Sequence, residues 1–296
     1  MIQPIENMRQ LKIIISGGGS GGHIFPAIAI AKSIAQKSKN VDFLFVGASD
    51  KMEMEKVPNE GFKIVGLWIS GFHRGEIIRN LFFPIKLFFS LIKSIFLIIS
   101  YKPDLVIGTG GFASGPILYV AAKFGVPTLI QEQNSYAGIT NKILSKYVDL
   151  ICVAYENMQR FFTKEKIILA GNPIRKNIIE INRDEKEIKS LFNLKSENKT
   201  VLIIGGSLGA LSINETIEIG LKKLKENNLN VIWQTGTGFS QRANKKINEI
   251  NTQGITSHQF IKKIELAYEA ADIIVSRAGA IAISELCVIG KPTILI

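Results

Sequence analysis

The chain has 296 residues, of which 46% are hydrophobic and 21% charged, a composition that excludes a disordered protein and leaves room for two folded domains. Lysine and arginine exceed aspartate and glutamate by 36 to 25, and the net charge of +11 favours a partner with negative charge, such as nucleic acid, an anionic membrane or a phosphorylated substrate. Two cysteines without a CxxC spacing, Cys152 and Cys287, and three dispersed histidines predict neither a disulfide framework nor a metal site, and they suit a reducing cytosol.

Short apolar, β-branched segments alternate along the chain with longer helical segments, the pattern of βαβ units around parallel sheets. The strands are continuously apolar, as expected when helices cover both faces of a sheet. The sequence therefore predicts a doubly wound α/β fold. The predicted strands are Leu11–Ser16, Val41–Val46, Leu105–Ile107, Thr128–Ile130, Val201–Ile204, Val231–Gln234, Ile273–Val275 and Thr293–Ile296.

The second half of the chain repeats the order of the first. A strand runs into a glycine loop in both halves, an aspartate (Asp104, Asp272) precedes a later strand, and a Pro-Thr pair opens the strand after that. This repetition predicts two Rossmann-like domains, residues 1–172 and 173–296, with a cleft between them. We expect the charged stretch Lys176–Lys199 to join them, and the second domain to be truncated, because the residues that continue the first copy have no counterpart after Ile296.

A first glycine loop, residues 17–22, follows a predicted strand and precedes a helix predicted to begin near Pro26. Backbone N–H groups in such a loop, together with a helix N-terminus, favour a phosphate or another anion. The loop contains the G-x-G-x-x-G pattern of dinucleotide-binding proteins, but Asp42 opens the next strand and Asp50 lies beyond its end. NAD binding is therefore not favoured, because the fingerprint needs an acid at the end of that strand.

His23 follows this loop directly, where its side chain would project from the carboxyl edge of the sheet. It is either a hydrogen-bonded or helix-capping histidine or a general base that takes a proton from an attacking hydroxyl.

Two other glycine loops follow predicted strands. Residues 205–210 lack the Gly-Lys-Ser/Thr ending of a P-loop, so they predict a diphosphate cradle rather than triphosphate hydrolysis. Residues 108–116 form either a tight turn or part of an acceptor site. Glu285 lies eight residues after Arg277, on a helix predicted to begin at residues 278–280, and is either a ribose ligand or a surface carboxylate.

The stretch Ile77–Ile99 is the most apolar part of the chain. Pro84, Lys86 and Lys93 interrupt it, so it lacks the uncharged run of roughly 18 residues that a membrane span requires. Basic residues around it outnumber acidic ones. We expect shallow insertion into an anionic membrane surface, with a buried core helix as the alternative.

Taken together, six segments closely resemble glycosyltransferase family 28, the UDP-GlcNAc-dependent enzymes that complete the lipid-linked peptidoglycan precursor. These segments are Gly17–Pro26, Gly108–Pro116, Gln131–Asn134, Gly171–Arg175, Gly205–Ala210 and Ser276–Glu285. The resemblance implies an inverting GT-B enzyme that requires no metal or cofactor. Its donor substrate would be UDP-GlcNAc, its acceptor the C4 hydroxyl of lipid I (undecaprenyl-diphosphate-linked MurNAc-pentapeptide), and its location the cytoplasmic face of the cell membrane, as a peripheral protein.

The resemblance also implies roles for individual residues. The catalytic candidates are His23, as general base, and Glu132. Candidate donor-binding residues are Ser20, Gly21, Gly22, Asn134, Arg175, Ser207, Ile261, Ala280, Ile281, Ala282, Ile283, Ser284 and Glu285, of which Arg175 and Ser207 would hold the diphosphate, Ile261 the uracil and Glu285 the ribose. Asn141, Asn214 and Arg277 match further positions important in the family.

Some positions depart from the family pattern. Gln131 stands where many members have histidine, and Phe112 where tyrosine is common, so no acid–base or hydroxyl role is carried to either. The glutamine-containing donor-sugar segment expected after the Pro292 strand is missing, as is the C-terminal helix.

Three other functions remain as alternatives. Another UDP-sugar enzyme of the same fold would be a glycolipid transferase or a UDP-GlcNAc epimerase, and the epimerase would not need the apolar, basic stretch. An NAD-dependent oxidoreductase would bind nicotinamide cofactor and ignore UDP. A nucleic-acid binder is suggested by net charge alone, and we expect no nucleic-acid partner.

Overall fold

A computed structural model describes residues 9–72, 80–178, 184–251 and 253–296. The chain divides into two compact units, Met1–Pro173 and Ile174–Ile296, and this division lies one residue from the expected domain boundary. Each unit is built around its own sheet, in which every described strand pair is parallel.

The described part of the first unit contains a seven-stranded sheet with the order β3-β2-β1-β4-β5-β6-β7. Its strands are β1 Leu11–Ser16, β2 Val41–Ala48, β3 Lys63–Leu67, β4 Leu105–Gly108, β5 Thr128–Glu132, β6 Leu150–Val153 and β7 Ile167–Leu169. Its helices are α1 Gly21–Lys37, α2 Glu53–Asn59, α3 Phe83–Tyr101, α4 Ser114–Lys123 and α5 Ile139–Leu144.

The second unit contains, within its described residues, a five-stranded sheet with the order β10-β9-β8-β11-β12. Its strands are β8 Thr200–Ile204, β9 Asn230–Gln234, β10 Ile255–His258, β11 Ile273–Ser276 and β12 Thr293–Leu295. Its helices are α6 Glu185–Leu191, α7 Leu211–Glu226, α8 Ser240–Ile250, α9 Ile264–Ala270 and α10 Ala280–Ile289.

The predicted doubly wound α/β fold is confirmed, and every predicted strand is present within about two residues. The sequence did not reveal β3, β6, β7 and β10. Three of these, β3, β7 and β10, lie at sheet edges. An edge strand has a single neighbour and tolerates polar residues such as Lys63 and His258, so its apolar signal is weak.

Both faces of each sheet are buried under helices. In β1, Ile13 and Ile15 enter the core cluster on one face, whereas Ile14 enters the cluster on the other. In β8, Leu202 and Ile203 divide in the same way between the two clusters of the second unit. Because alternate side chains point to opposite faces, a strand covered on both sides must be apolar at every position.

An aspartate before a strand caps the neighbouring strand at three places in the two sheets. Asp104 accepts a hydrogen bond from the Lys12 amide at 2.9 Å, and Asp272 accepts one from the Thr200 amide at 2.8 Å. Asp149 does the same for the amide of Thr128 at 2.8 Å. Asp104 and Asp272, which repeat between the two halves of the sequence, therefore have the same structural role. Each accepts a hydrogen bond from the amide near the start of a central strand.

Two expectations about boundaries were wrong. Helix α1 begins at Gly21 and carries Pro26 inside it, rather than beginning near Pro26. The stretch Lys176–Lys199 is no joint: Ile188 and Phe192 are buried in the core of the second unit, and α6 packs against α9. Its charged residues misled the prediction because an amphipathic helix can be highly charged and still bury one face. Residues 179–183 of this stretch lie outside the described residues.

The loops that follow β1 and β4 touch backbone to backbone. A Cβ atom added to Gly111 would lie 2.1 Å from the carbonyl oxygen of Gly18, and the φ angle of Gly111 is +80°. Glycine is required here because any side chain would collide with backbone and would also have to adopt a left-handed conformation.

We predict that Gly111→Ala destabilises the first unit by about 3 kcal/mol, from left-handed strain and the collision together. Gly125→Ala is the matched control, because Gly125 has a φ angle of +70° and nothing within 4 Å of an added Cβ. It should cost only about 1 kcal/mol. Urea unfolding followed by circular dichroism measures both, and equal losses would show that the close approach of the two loops has no energetic weight.

Asp272 supplies a prediction about pH. Burial by itself would raise the pKa of Asp272, but hydrogen bonds from Lys199 and the Thr200 amide bring that pKa below its ordinary value. A carboxylate whose folded pKa is lowered contributes stability above its unfolded pKa, and the contribution is lost as pH falls through the folded value.

We therefore expect Asp272→Asn to lower the free energy of unfolding by about 0.5 to 1 kcal/mol at pH 7, because water screens this partly exposed pair. The difference between variant and wild type should shrink below about pH 4. Fluorescence of Trp233 in a Trp68→Phe background reports the second unit. A loss that stays constant down to pH 2 would rule out the ionised carboxylate as its source.

Candidate functional site

In each sheet the strand order reverses at one pair of neighbouring parallel strands, and glycine loops follow the strands of that pair. In the first unit, β1 pairs with β4, and the chain continues from β1 towards β2 but from β4 towards β5. In the second unit β8 and β11 have the same relation. The loops that leave two such strands diverge, and the space between them at the carboxyl edge is the usual ligand site of an open α/β sheet.

His23 lies in the first turn of α1 and is half-buried. Its Nδ1 atom lies 2.9 Å from the carbonyl oxygen of Thr109 and 3.1 Å from Oε1 of Gln133. The side chain is thus held by the residues that follow β4 and β5 and does not cap its own helix. No described residue forms a hydrogen bond with Nε2 of His23.

The start of α1 presents backbone amides beside His23. Ser20 is the N-cap, with φ of −155°, and its carbonyl accepts from the amides of His23 and Ile24 at 3.1 and 3.2 Å. Its hydroxyl makes no capping bond. Ser20 and Gly22 are exposed and Gly21 is buried. The amides of the first helical turn have no carbonyl partner inside a helix, which suits an anion or a polar sugar group.

Glu53 is a residue of this site that the sequence did not indicate. Its carboxylate is fully buried and accepts hydrogen bonds from the Ala48 amide at 2.9 Å and the Gly19 amide at 3.2 Å. The Gly19 amide therefore donates to an internal carboxylate, and the other amides of the loop and of the first turn of α1 are the ones that could bind an anion. Around β2 the sequence pointed to Asp42 and Asp50. The acid that contacts the glycine loop is instead Glu53, in the first turn of α2.

Glu132 organises the loop after β5. One of its oxygens accepts from the amide and side chain of Asn134, both at 3.0 Å, and the other from the Gly138 amide and the Asn141 side chain, both at 2.9 Å. The carboxylate is 1% exposed, and four donors surround it. These contacts place the exposed Asn134. Oδ1 of Asn141 is buried without a partner among the described residues.

In the second unit, Glu285 lies on α10 and accepts hydrogen bonds from two side chains. One belongs to Arg175, which the sequence predicted as a site residue, and the other to Tyr268, which it did not. Arg175 donates to Oε1 of Glu285 through Nε at 3.1 Å and Nη2 at 2.8 Å, and the Tyr268 hydroxyl donates to Oε2 at 3.2 Å. Glu285 is buried, which rules out a mere surface carboxylate. Burial, and then the Glu285 charge, raise the pKa of Tyr268, so the phenol remains a donor. Arg277 is exposed before α10.

The second glycine loop is tied to the predicted uracil site by one glutamine. Gln234, at the end of β9, donates to the Gly206 carbonyl and accepts from the Ile261 amide, both at 2.9 Å. Ser207 is half-buried in that loop. Asn214 is buried and serves the fold, because Trp233 donates to its Oδ1 at 3.0 Å.

The N-terminus of α10 carries the residues that the sequence predicted to bind the donor. Gly279 is the N-cap, and Ile283 is the first residue whose amide donates to its carbonyl, at 2.8 Å. The amides of Ala280, Ile281 and Ala282 precede that bond. Ser284, one turn further along the helix, donates its hydroxyl to the Ala280 carbonyl at 3.0 Å.

Helix α3 has two contrasting sides. Ser90, Ser94 and Ile98 are buried, the helix packs against α4, and the Ser90 hydroxyl donates to the Trp68 carbonyl at 2.9 Å. By length and composition alone α3 could cross a membrane, although Lys86 and Lys93 lie within it, and among the described helices it is the one of which this is true. Exposed apolar residues of α3 and the turn before it are Leu81, Phe82, Ile85, Phe88, Phe89, Phe96 and Ile99. Residues 77–79 of the predicted stretch lie outside the described residues.

The structure thus assembles the predicted site residues in two groups. Those from Ser20 to Asn134 lie at the carboxyl edge of the first sheet, and those from Arg175 to Glu285 belong to the second unit. No three His, Cys, Asp or Glu side chains meet as a candidate metal site within the described ranges. The observed end of β2 at Ala48 carries no acid of the kind that dinucleotide binding requires.

Comparisons with known proteins agree with this division. The N-terminal domain of glycosyltransferase family 28 matches residues 13–153, and the C-terminal domain of that family matches residues 200–296. A curated relative from Christiangramia forsetii is 50% identical over 97% of this chain and 77% of its own length. It is named UDP-N-acetylglucosamine–N-acetylmuramyl-(pentapeptide) pyrophosphoryl-undecaprenol N-acetylglucosamine transferase.

Two solved structures place the fold. The crystal structure of Acinetobacter baumannii MurG is 27% identical, with a TM-score of 0.67 over 97% of this chain and 79% of that one. UDP-GlcNAc 2-epimerase from Neisseria meningitidis, bound to UDP-GlcNAc, is 15% identical with a TM-score of 0.65 over 96% of this chain and 82% of its own, a likeness of fold alone. With both domain types matched and half of the residues shared with a curated relative, the chain belongs to glycosyltransferase family 28 and is a glycosyltransferase.

Proposed function

We propose that the chain transfers GlcNAc from UDP-GlcNAc to the C4 hydroxyl of the muramoyl sugar in lipid I, with inversion at the anomeric carbon. The observation that carries the proposal is the orientation of His23, whose Nδ1 is held by Thr109 and Gln133 while no described residue bonds to its Nε2. The name of the relative that is 50% identical supports the choice of donor and acceptor. As the family resemblance implies, we expect the transfer to need neither a metal nor an organic cofactor.

In the proposed reaction His23 acts as general base. As the C4 oxygen attacks C1 of GlcNAc, its proton passes to Nε2 of His23, the bond from C1 to the β-phosphate oxygen breaks, and the electron pair leaves with UDP. General bases of this kind contribute about 10²- to 10⁴-fold in rate. Ser20, Gly21, Gly22 and Asn134 would contact the donor sugar.

The second unit would bind the nucleotide. Arg175, Ser207 and the first amides of α10 would neutralise the diphosphate as negative charge develops on it. Arg175 donates to Glu285 through two nitrogens. A diphosphate competes for that guanidinium, and binding would leave Glu285 free to accept from ribose hydroxyls while Tyr268 keeps the carboxylate in place.

The contacts of two other residues modify the roles that family resemblance implies. We assign Glu132 to holding the Asn134 loop rather than to proton transfer, because its oxygens already accept four hydrogen bonds. Phe112 supplies no hydroxyl and lies against Gly19, where an added Cβ would come 2.8 Å from its ring.

The division of roles predicts opposite effects for two variants. His23→Ala should lower kcat about 10²- to 10⁴-fold and leave the UDP dissociation constant unchanged. Glu285→Ala should raise that constant about 10- to 100-fold, because it removes charged hydrogen bonds. Titration calorimetry with UDP and a UDP-release assay measure the two quantities.

Glu249→Ala, on the exposed part of α8, is the control for loss of a carboxylate. Near-normal turnover of His23→Ala would remove His23 as the base. An unchanged UDP constant in Glu285→Ala would exclude its ribose role, provided that the variant unfolds at the same urea concentration as wild type.

We further propose that the exposed side of α3 inserts shallowly into an anionic membrane surface, which would make the protein peripheral at the cytoplasmic face. The buried serine side of α3 packs on the first unit, which supports insertion of one side rather than a span. The basic Lys86 lies over the Trp68 ring at 5.9 Å, beside the exposed Phe89. Aromatic surface with basic neighbours suits the headgroup region.

Replacing Phe82 and Phe88 together with serine should weaken binding to vesicles that contain anionic lipid by at least about tenfold, because two exposed rings lose apolar contact. Ile219→Ser is the control, since Ile219 is 84% exposed on the second unit. Vesicle sedimentation measures the binding. If the double variant and the control bind the vesicles equally well, Phe82 and Phe88 do not take part in membrane contact.

A further inference from the structure

We propose that Gln133 is a positioning residue that, together with the Thr109 carbonyl, sets the tautomer of His23. Both atoms that face Nδ1 of His23 are oxygens, the Thr109 carbonyl at 2.9 Å and Oε1 of Gln133 at 3.1 Å. A lone pair on Nδ1 would point at two other lone pairs, so this nitrogen carries the proton. In the neutral ring, Nε2 then holds the lone pair that accepts a proton.

The direction of the Gln133 amide follows from its other contacts. Its Nε2, which carries two hydrogens, lies within hydrogen-bond distance of three acceptors: the Thr109 carbonyl at 2.8 Å, the Gln131 carbonyl at 3.1 Å and Oε1 of Gln131. Turning the amide around would set its oxygen against three acceptors. Gln133 therefore presents an oxygen, and not an NH₂ group, to His23.

Gln131 continues the same order of donors and acceptors. Its Nε2 donates to Oδ1 of Asn172 at 3.2 Å, and Nδ2 of Asn172 donates to the Gln133 carbonyl at 3.2 Å. Gln131 and Gln133 are each 2% exposed, so water has little access to the chain of amides. A buried network of this kind strongly favours one hydrogen-bonding pattern, because any reversal leaves a polar group unpaired.

This arrangement of acceptors favours the tautomer protonated at Nδ1, whereas in free histidine the tautomer protonated at Nε2 predominates. The network also gives Gln131 a role. No acid–base role was carried over to this position, but the Gln131 side chain helps to orient Gln133. The inference rests on the proposed function only in making Nε2 the atom that takes the acceptor's proton. The tautomer itself can be measured without any substrate.

The test is two-bond ¹H–¹⁵N NMR of the ¹⁵N-labelled protein, with the His23 signals assigned by their loss in His23→Gln. Wild type should show His23 protonated at Nδ1. Gln133→Met removes the acceptor and the donors of the amide and leaves the Thr109 carbonyl as the described acceptor at Nδ1, so the share of the Nε2-protonated form should rise. Gln133→Glu keeps an oxygen towards Nδ1, and with its other oxygen protonated towards the Thr109 and Gln131 carbonyls it should retain the wild-type tautomer.

Turnover separates positioning from a merely structural role. We expect kcat of Gln133→Met to fall about tenfold while the UDP dissociation constant stays unchanged, and Gln133→Glu to recover most of that loss. Gln234→Met, which removes a buried glutamine from the second unit, should leave the His23 signals as they are.

Two results would overturn the inference: a wild-type His23 protonated at Nε2, or Met and Glu variants with the same tautomer and the same kcat. If Gln133→Met does not fold, the wild-type spectrum can still overturn the inference, and Gln133→Leu replaces it as the variant without an amide. Failure of the proposed base is a separate result, because it would appear as normal turnover in His23→Ala whatever the tautomer.

Discussion

The parallel pairing of β1 with β4 is the constraint on which the first site depends. It aligns Ser16 with Gly108, so the segments that follow β1 and β4 leave the sheet side by side and turn in opposite directions. The loops that follow are close enough for Gly111 to meet the Gly18 backbone and for His23 to reach the Thr109 carbonyl. His23 and its partners are thus brought together by register, although Thr109 lies far from His23 in the chain.

The second unit applies the same constraint to different chemistry. The pairing of β8 with β11 aligns Ile204 with Ser276, and the glycine loop and the start of α10 follow these strands. Where the first unit presents a histidine, the second presents the Arg175–Glu285 ion pair. A repeated architecture therefore carries proton transfer in one copy and binding of an anionic nucleotide in the other, as we propose, because the side chains on the loops differ while the strand order is shared.

Buried carboxylates with several donors recur around both sites. Glu53 holds the first glycine loop, Glu132 holds the loop after β5, and Glu285 holds Arg175 and Tyr268. A buried charge is tolerated only when it is hydrogen-bonded, so each carboxylate requires a definite arrangement of its surrounding loop. The loops gain in this way the rigidity that a site needs, without a metal centre among the described residues.

The sequence by itself determined the doubly wound fold, the repetition of its two halves and the glycine loops, because apolar runs and turn residues report local geometry and burial directly. It also singled out His23 and Glu285, since each follows a glycine turn at the end of a strand. It missed Glu53, Gln133, Gln234 and Tyr268, and it mistook α6 for part of a joint. Only the tertiary structure decided these, because a hydrogen bond between residues distant in the chain leaves no periodic signal, and a side chain's role depends on which atoms the folded sheet brings to it.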